Sequence, residues 1–224
     1  MNENFSLDDL KQKFNENKNY RTAVIAGGIV VVFVLGFLSY RQFMWKPENE
    51  KSKDSYHVAL NAVLNEKQNT QIADTGKATA KTDPIKKLQK SVKKYDGKIG
   101  GEVSKYLLAT QYMRKGKYKE ALVLLENVNV DDTYMSAQVI GLQGDCQSEL
   151  NNHEAAHVLY QEAAMVNEND FTSPMYLFKA GLTAEKLKKS AEAKAHFEKI
   201  ELQYPTSFYA KEKSLEAYIA RNSN

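Results

Sequence analysis

The chain has 224 residues, of which 42% are hydrophobic and 26% charged, values typical of folded proteins and not of wholly disordered ones. Its 31 basic and 28 acidic residues leave a net charge of +3, which gives no reason to expect nucleic-acid binding. The only cysteine, Cys146, excludes an intramolecular disulfide and an all-cysteine zinc site, and is expected to be a small buried hydrophobe.

The first segment with a pattern is a short amphipathic one. Ser6 opens a variant of the capping box, and Leu7, Leu10 and Phe14 follow it at helical spacing. This pattern predicts a short amphipathic helix over residues 6–17, with Ser6 as its N-cap.

A long apolar segment follows. Residues 22–40 carry no charge over 19 positions, and as a helix they would span roughly 28 Å, about the thickness of a bilayer core. This favours an uncleaved transmembrane helix over 22–40, followed by a juxtamembrane linker over 41–50. A buried core helix and a cleaved signal peptide are the alternatives, but a signal peptide has an apolar stretch of only ~7–15 residues. Four basic residues lie on each side, so the positive-inside rule does not orient the segment.

Small residues mark one face of this segment. Ala23, Gly27 and Gly28 would let a second membrane helix approach closely, so they form a candidate docking face. Glycine is also simply common in membrane helices, and that reading remains open.

The remainder of the chain has a helical period and an internal repeat. Ala109, Tyr112, Gly116, Tyr118 and Ala121 match the tetratricopeptide (TPR) pattern, in which small residues allow two antiparallel helices to cross closely. Two further matches follow, the first at Gly144, Ala156, Tyr160 and Ala163, the second at Gly181, Ala193, Phe197 and Ile200. The crossing alanines Ala121, Ala156 and Ala193 lie 35 and 37 residues apart, which implies small insertions, expected over 167–174.

These repeats predict an all-α fold in which an α-solenoid of TPR-like helix pairs follows the single N-terminal transmembrane helix. Residues 51–65 and 84–95 are expected to form a degenerate first pair, separated by a mobile polar loop over 66–83. Residues 206–221 are expected to form a capping helix that covers the end of the stack. Its expected apolar face consists of Phe208, Leu215, Tyr218 and Ile219.

The first helix of each pair, called here the A helix, should line a concave surface suited to an extended segment or a partner helix. We call the residues that the register places there the candidate groove. They are Val103, Tyr106, Thr110, Met113, Gln138, Gly141, Asp145, Met175, Phe178 and Leu182.

One pentapeptide matches a catalytic motif. His153, Glu154 and His157 fit the H-E-x-x-H pattern, in which two imidazoles bind zinc and the glutamate acts as a general base. Ala163 stands where a third ligand would be expected, Glu185 is only a distant candidate, and the motif opens a helix whose Ala156 should be packed. We therefore expect no enzyme, no cofactor and no metal site, and keep a zinc protease as a remote alternative.

A basic cluster marks the predicted helix over 84–95 and the residues just after it. The cluster contains Lys86, Lys87, Lys90, Lys93, Lys94 and Lys98. A solvated helix face explains it, and anionic lipid is the second interpretation.

The order of these parts resembles that of the YfgM-type TPR proteins, ancillary subunits of the bacterial SecYEG translocon. The resemblance covers the tail with its segment over 14–17, the single span, the helix around 55–63 and the stretch over 106–126 with Gly116 and Ala121. It implies a cytoplasmic tail over 1–21 and a periplasmic TPR domain over 51–224, at the bacterial inner membrane.

The same resemblance implies partners. They are SecYEG, a PpiD-like membrane-anchored chaperone and unfolded secreted clients. The apolar segment adds membrane lipid as a partner, and the balanced charge predicts no nucleic acid. The implied role is that of a chaperone-like adaptor in protein translocation. A TPR scaffold of another envelope assembly, for outer-membrane protein insertion or cell-wall synthesis, is the alternative.

Overall fold

The computed structural model describes residues 7–72, 83–212 and 214–223, which are helical with short connections and contain no strand. The all-α prediction is therefore confirmed. The chain divides into two compact units, with the boundary between Lys51 and Ser52. Ser6, the expected N-cap of the first helix, lies outside the described residues.

The first unit is built on two helices, α1 (Leu7–Glu16) and α2 (Lys18–Tyr40). Asn17 separates them because its side-chain oxygen caps α2, accepting hydrogen bonds from the backbone N–H groups of Asn19 and Tyr20 at 3.0 and 3.1 Å. No residue of α2 is buried, so the structure contradicts the core-helix alternative. By length and composition, the helical stretch Lys18–His57 is sufficient to cross a membrane.

Residues 41–50, predicted as a juxtamembrane linker, are helical. A π-helical turn (Arg41–Trp45) leads directly into α3 (Lys46–Ile72). Pro47 explains the turn, because proline has no N–H to donate to the carbonyl four residues back and its ring crowds that carbonyl. The widened turn accommodates it, and the Lys46 N–H bonds to the Arg41 carbonyl five residues earlier.

The start of the predicted mobile loop over 66–83 is also helical. Residues 66–72 continue α3, consistent with the good helix formers Glu66, Lys67 and Gln68 and the lack of glycine or proline there. Residues 73–82 lie outside the described residues. Asp83 then caps α4 (Pro84–Lys94), accepting from the Ile85 N–H at 3.0 Å.

A seam of small side chains joins α3, α4 and α5 (Ile99–Arg114). Ser91 accepts hydrogen bonds from the hydroxyls of Ser55 and Ser104 at 2.9 and 2.7 Å. The Gly100 N–H donates to the Ser52 hydroxyl at 3.0 Å, and a Cβ on Gly100 would lie 1.8 Å from the Ser52 carbonyl oxygen. Glycine is therefore required here for the two backbones to approach.

Three helix pairs form the body of the second unit. Helices α5 and α6 (Tyr118–Glu126) make the first, α7 (Thr133–Glu149) and α8 (His153–Met165) the second, and α9 (Thr172–Lys186) and α10 (Ser190–Gln203) the third. Each helix packs on the next in the chain, as in an α-solenoid of TPR-like pairs. The crossing alanines Ala121, Ala156 and Ala193 are fully buried, as predicted.

The turns inside the three pairs share one backbone conformation. Gly116, Asn151 and Lys188 occupy equivalent positions with φ of 69°, 63° and 61°. This is the left-handed C-cap that ends the A helix. Glycine adopts it at no cost, whereas lysine is strained there.

The expected insertion over 167–174 is wrong. The connections over 127–132 and 166–171 have the same length, while α8 has 13 residues and α6 has 9. The longer second period therefore comes from a longer helix. Asn169 holds the second connection by accepting from the N–H groups of Phe171 and Thr172 at 2.9 and 2.8 Å.

Two short helices, not one, follow the last pair. Glu212 adopts an extended backbone and ends α11 (Phe208–Lys211) before α12 (Ser214–Arg221). Leu215 is buried, but Phe208 is 69% exposed, contrary to the expected apolar face. Its neighbour Tyr209 packs inward instead.

Candidate partner-binding surface

The structure places the four candidate-groove residues of α5 on one helix face. Val103, Tyr106, Thr110 and Met113 follow at spacings of three and four residues, and each is half-buried. They are accessible without being freely solvated, which is the condition for a surface that binds apolar groups.

A hydrogen bond connects this face to the next A helix. The Tyr106 hydroxyl donates to Gln138 Oε1 at 3.0 Å, and burial raises the pKa of the tyrosine. These two candidate-groove residues therefore connect consecutive repeats directly.

The structure does not place Gly141 on an open surface. A Cβ at this residue would lie 2.0 Å from Cε1 of Tyr176, a buried residue of the next A helix. Gly141 is therefore a packing residue that lets two helices approach. Sequence reasoning missed Tyr176, whose role depends on the glycine opposite it.

Asp145 is the charged centre of the groove. It accepts a hydrogen bond from the Tyr160 hydroxyl at 2.7 Å, and Lys179 Nζ lies 2.7 and 2.9 Å from its two oxygens. Burial, then the nearby Asp145 carboxylate, raises the pKa of Tyr160 and of Tyr176. The network joins the second repeat to the third.

Sequence reasoning also missed Lys179. Its ammonium group lies over the rings of Tyr160 and Tyr176, 5.5 and 5.7 Å from their centroids. The only available signal was a lysine on an otherwise apolar part of an A helix, 34 residues after an aspartate.

At the C-terminal end the candidate groove is partly covered. Phe178 packs on the rings of Phe197, Tyr209 and Tyr218, with centroids 5.7, 5.2 and 5.2 Å away. The ring is half-buried and packs on α10, α11 and α12, so its placement on an open groove surface is corrected. Met175 also contacts this cluster, whereas Leu182 is exposed.

A buried ion pair braces the other end of the repeats. Glu102 accepts from Lys105 Nζ at 2.9 Å and from the N–H groups of Gly97 and Asn129 at 3.1 and 2.7 Å. Lys105 also pairs with Asp96 at 2.6 Å. The hydrogen bond and charge of Lys105 lower the pKa of Asp96.

The H-E-x-x-H motif is used for packing. Both ring nitrogens of His157 lie 3.1 Å from oxygen acceptors, Nδ1 from the Ala180 carbonyl and Nε2 from the Glu192 carboxylate. Both nitrogens therefore face oxygen atoms of the protein and not an open site where a metal could bind. No cluster of three potential metal ligands occurs among the residues that the structure describes.

Two other sites named from sequence are the candidate docking face on α2 and the single cysteine. A Cβ added to Gly27 or Gly28 would meet no atom within 4 Å, so the candidate docking face at Ala23, Gly27 and Gly28 is uncovered. Cys146 is fully buried, and burial raises the pKa of its thiol to about 11.

No family model matches the sequence, and no curated protein matches it. Among solved structures, the chain is similar to PcrH, in a crystal structure with the chaperone binding region of PopB. The identity is 19% and the TM-score 0.43, over 57% of this chain and 95% of that chain. It is also similar to MamA, with 20% identity and a TM-score of 0.46, over 62% and 82% of the two chains. The fold assignment rests on the helix pairs described above, and no functional conclusion follows from likenesses of this size.

Proposed function

We propose that this protein is a membrane-anchored, TPR-type adaptor that binds polypeptide partners in its candidate groove, beside the Sec translocon. The observation that carries the proposal is the half-buried face of Val103, Tyr106, Thr110 and Met113, which Tyr106 ties to the next repeat. Such a preformed, partly apolar surface binds a segment without having to order itself first.

The apolar N-terminal segment supports the anchoring. None of α2 is buried within the protein, so its hydrophobic side chains need another apolar environment. By the resemblance to YfgM-type proteins, the tail is cytoplasmic and the helix pairs periplasmic. SecYEG and a PpiD-like chaperone are then the expected partners, and unfolded secreted proteins the clients.

Catalysis is not part of the proposal. The one motif that suggested it places His157 between two oxygen acceptors, where it stabilises the contact between the second and third pairs. An adaptor needs a shaped surface and no reactive group.

Purification of the full chain from native membranes in mild detergent, followed by mass spectrometry, tests the proposal. Recovery of SecYEG and a PpiD-like chaperone is the expected result. Enrichment of an outer-membrane insertion or cell-wall assembly in their place would refute the translocon assignment and favour the scaffold alternative.

Site-specific photocrosslinking tests the groove itself. A photoreactive residue at Val103 or Met113 should crosslink to a partner or client. The matched control is Val123, which is 60% exposed on α6, the second helix of its pair. Equal crosslinking from all three positions would contradict the groove.

A further inference from the structure

A row of exposed apolar side chains begins the A helices. Ile99, Tyr134 and Phe171 each lie ten residues before the small residue of their helix, Ala109, Gly144 or Gly181. Phe208, 37 residues after Phe171, begins α11, which packs on α9. We call these four residues the apolar rim: Ile99, Tyr134, Phe171 and Phe208.

The rim is exposed at every position. Ile99 is 45% exposed, Tyr134 53%, and Phe171 and Phe208 are both 69% exposed. Single exposed apolar residues are ordinary, but the recurrence of one at the same register of consecutive repeats makes a contiguous feature. The rings of Tyr134 and Phe171 already touch edge to face, 6.5 Å between centroids.

The rim is continuous with the candidate groove. Ile99 precedes Val103 by four residues, and Val103 precedes Tyr106 by three, so the three share one face of α5. Exposed Met165 and Leu202 lie near the ends of α8 and α10, at the edge where the short inter-repeat connections begin. The apolar surface therefore extends along this edge of the helix pairs.

The size of the rim favours a peptide over a folded partner. At about 200 Å² for a whole aromatic side chain, its three rings leave on the order of 400 Å² accessible. A stable interface between two folded proteins buries about 800 Å² on each side. A second copy of this chain would need much more surface than the rim offers.

The charge next to Tyr134 and Phe171, the central pair of the rim, selects the partner further, whereas Ile99 follows Lys98 of the basic cluster. The connections over 127–132 and 166–171, which lead into Tyr134 and Phe171, contain Asp131, Asp132, Glu168 and Asp170 and no basic residue. Asp132 caps α7 and Glu168 pairs with Lys199, while Asp131 and Asp170 are exposed. An anionic lipid surface would be repelled here, whereas lysine or arginine would be attracted.

We propose that the apolar rim binds an extended polypeptide segment in which apolar residues alternate with lysine or arginine. Alternate side chains of an extended chain are about 6.7 Å apart, close to the Tyr134–Phe171 separation. This inference rests on the proposed adaptor function, and it names the class of client that the adaptor takes.

Fluorescence anisotropy with the full chain in uncharged detergent tests the inference. The probe is a labelled twelve-residue peptide of alternating phenylalanine and lysine, compared with a version in which glutamate replaces lysine. Combined Tyr134→Ser and Phe171→Ser should weaken binding of the lysine peptide about tenfold or more, because two central aromatic anchors are lost. Asp131→Asn with Asp170→Asn should weaken it several-fold at low salt and little at high salt.

The matched control is Val123→Ser with Val158→Ser, two residues 60% and 59% exposed on second helices of their pairs. It should leave binding unchanged. Equal loss in the rim and control variants, or equal binding of the glutamate peptide, would overturn the proposal. A change in the oligomeric state of the rim variant, measured by light scattering, would also overturn the proposal. Such a change would mean that a second copy of this chain binds the rim.

Direct crosslinking gives a readout that does not depend on a loss of binding. A photoreactive residue at Phe171 should label the lysine peptide, and one at Val158 should not. Failure here is distinguishable from failure of the proposed function. Peptide binding without co-purified SecYEG refutes only the translocon assignment, and SecYEG recovery with no peptide binding refutes only the rim.

Discussion

Asp145 offers a measurable test of how the repeats are held together. Its carboxylate accepts the Tyr160 hydroxyl at 2.7 Å and pairs with Lys179. Replacing Asp145 with alanine removes both interactions, whereas asparagine keeps an oxygen acceptor for Tyr160 and removes only the charge. The two variants therefore separate the hydrogen bond from the ion pair.

The structure sets the expected magnitudes. Tyr160 is 5% exposed, so losing an acceptor for its hydroxyl costs about 1–3 kcal/mol, with the lower half expected because the neighbouring Ser148 hydroxyl can rotate to accept its proton. The side chains of Lys179 and Asp145 are 35% and 26% exposed, so solvent screening limits the ion pair to about 0.5–1 kcal/mol. Asp145→Ala should thus lose about 2 kcal/mol and Asp145→Asn about 0.5–1 kcal/mol.

Thermal unfolding of the full chain in uncharged detergent, followed by circular dichroism, measures the difference. At about 2–4 °C per kcal/mol, alanine should lower Tm by about 4–8 °C and asparagine by about 1–4 °C. Asp131→Ala, in an exposed connection, is the control and should change Tm little. Equal shifts for alanine and asparagine would refute the role of the Tyr160 hydrogen bond.

Three further outcomes follow from the geometry. Lys188→Gly should raise the free energy of unfolding in urea by about 1 kcal/mol, because Lys188 has a left-handed φ of 61°. The gain should exceed that of Asn151→Gly, since asparagine tolerates this conformation. A decrease in stability would contradict backbone strain at Lys188. Gly141→Ala should cost about 1–3 kcal/mol by displacing the Tyr176 ring, measured by the same assay, and a neutral result would refute the close approach. Burial lowers the pKa of His196 to about 4 from about 6.5, so the contribution of neutral His196 to the free energy of unfolding is full above pH 6.5 and is lost as pH falls towards 4. Between pH 7 and pH 5, Tm should therefore drop by more in the wild type than in His196→Gln. Equal drops would exclude His196 as the titrating group.

Local pattern was sufficient for the repeats. Ala121, Ala156 and Ala193 were identified from spacing alone, and all three are fully buried. The reason is that a helix crossing needs a small residue at a fixed register, and a repeat shows that requirement several times. An unbroken apolar run likewise identified the membrane-length helix.

Local pattern was insufficient where a neighbour decides the outcome. Residues 41–50 were expected to form a linker, but a π turn accommodates Pro47 and the helix continues. Gly141 and Phe178 have groove spacing, yet Tyr176 covers one and Tyr209 packs on the other. These partners come from the following helix, whose position no single segment specifies.

The sequence by itself therefore determined the helical class, the register of the repeats and the apolar N-terminal helix, because each depends on periodicity within one segment. The tertiary structure decided which residues of that register remain accessible. Phe178 packs on rings from the three helices that follow it, whereas the apolar rim stays exposed, because burial depends on whether another helix packs against a given face.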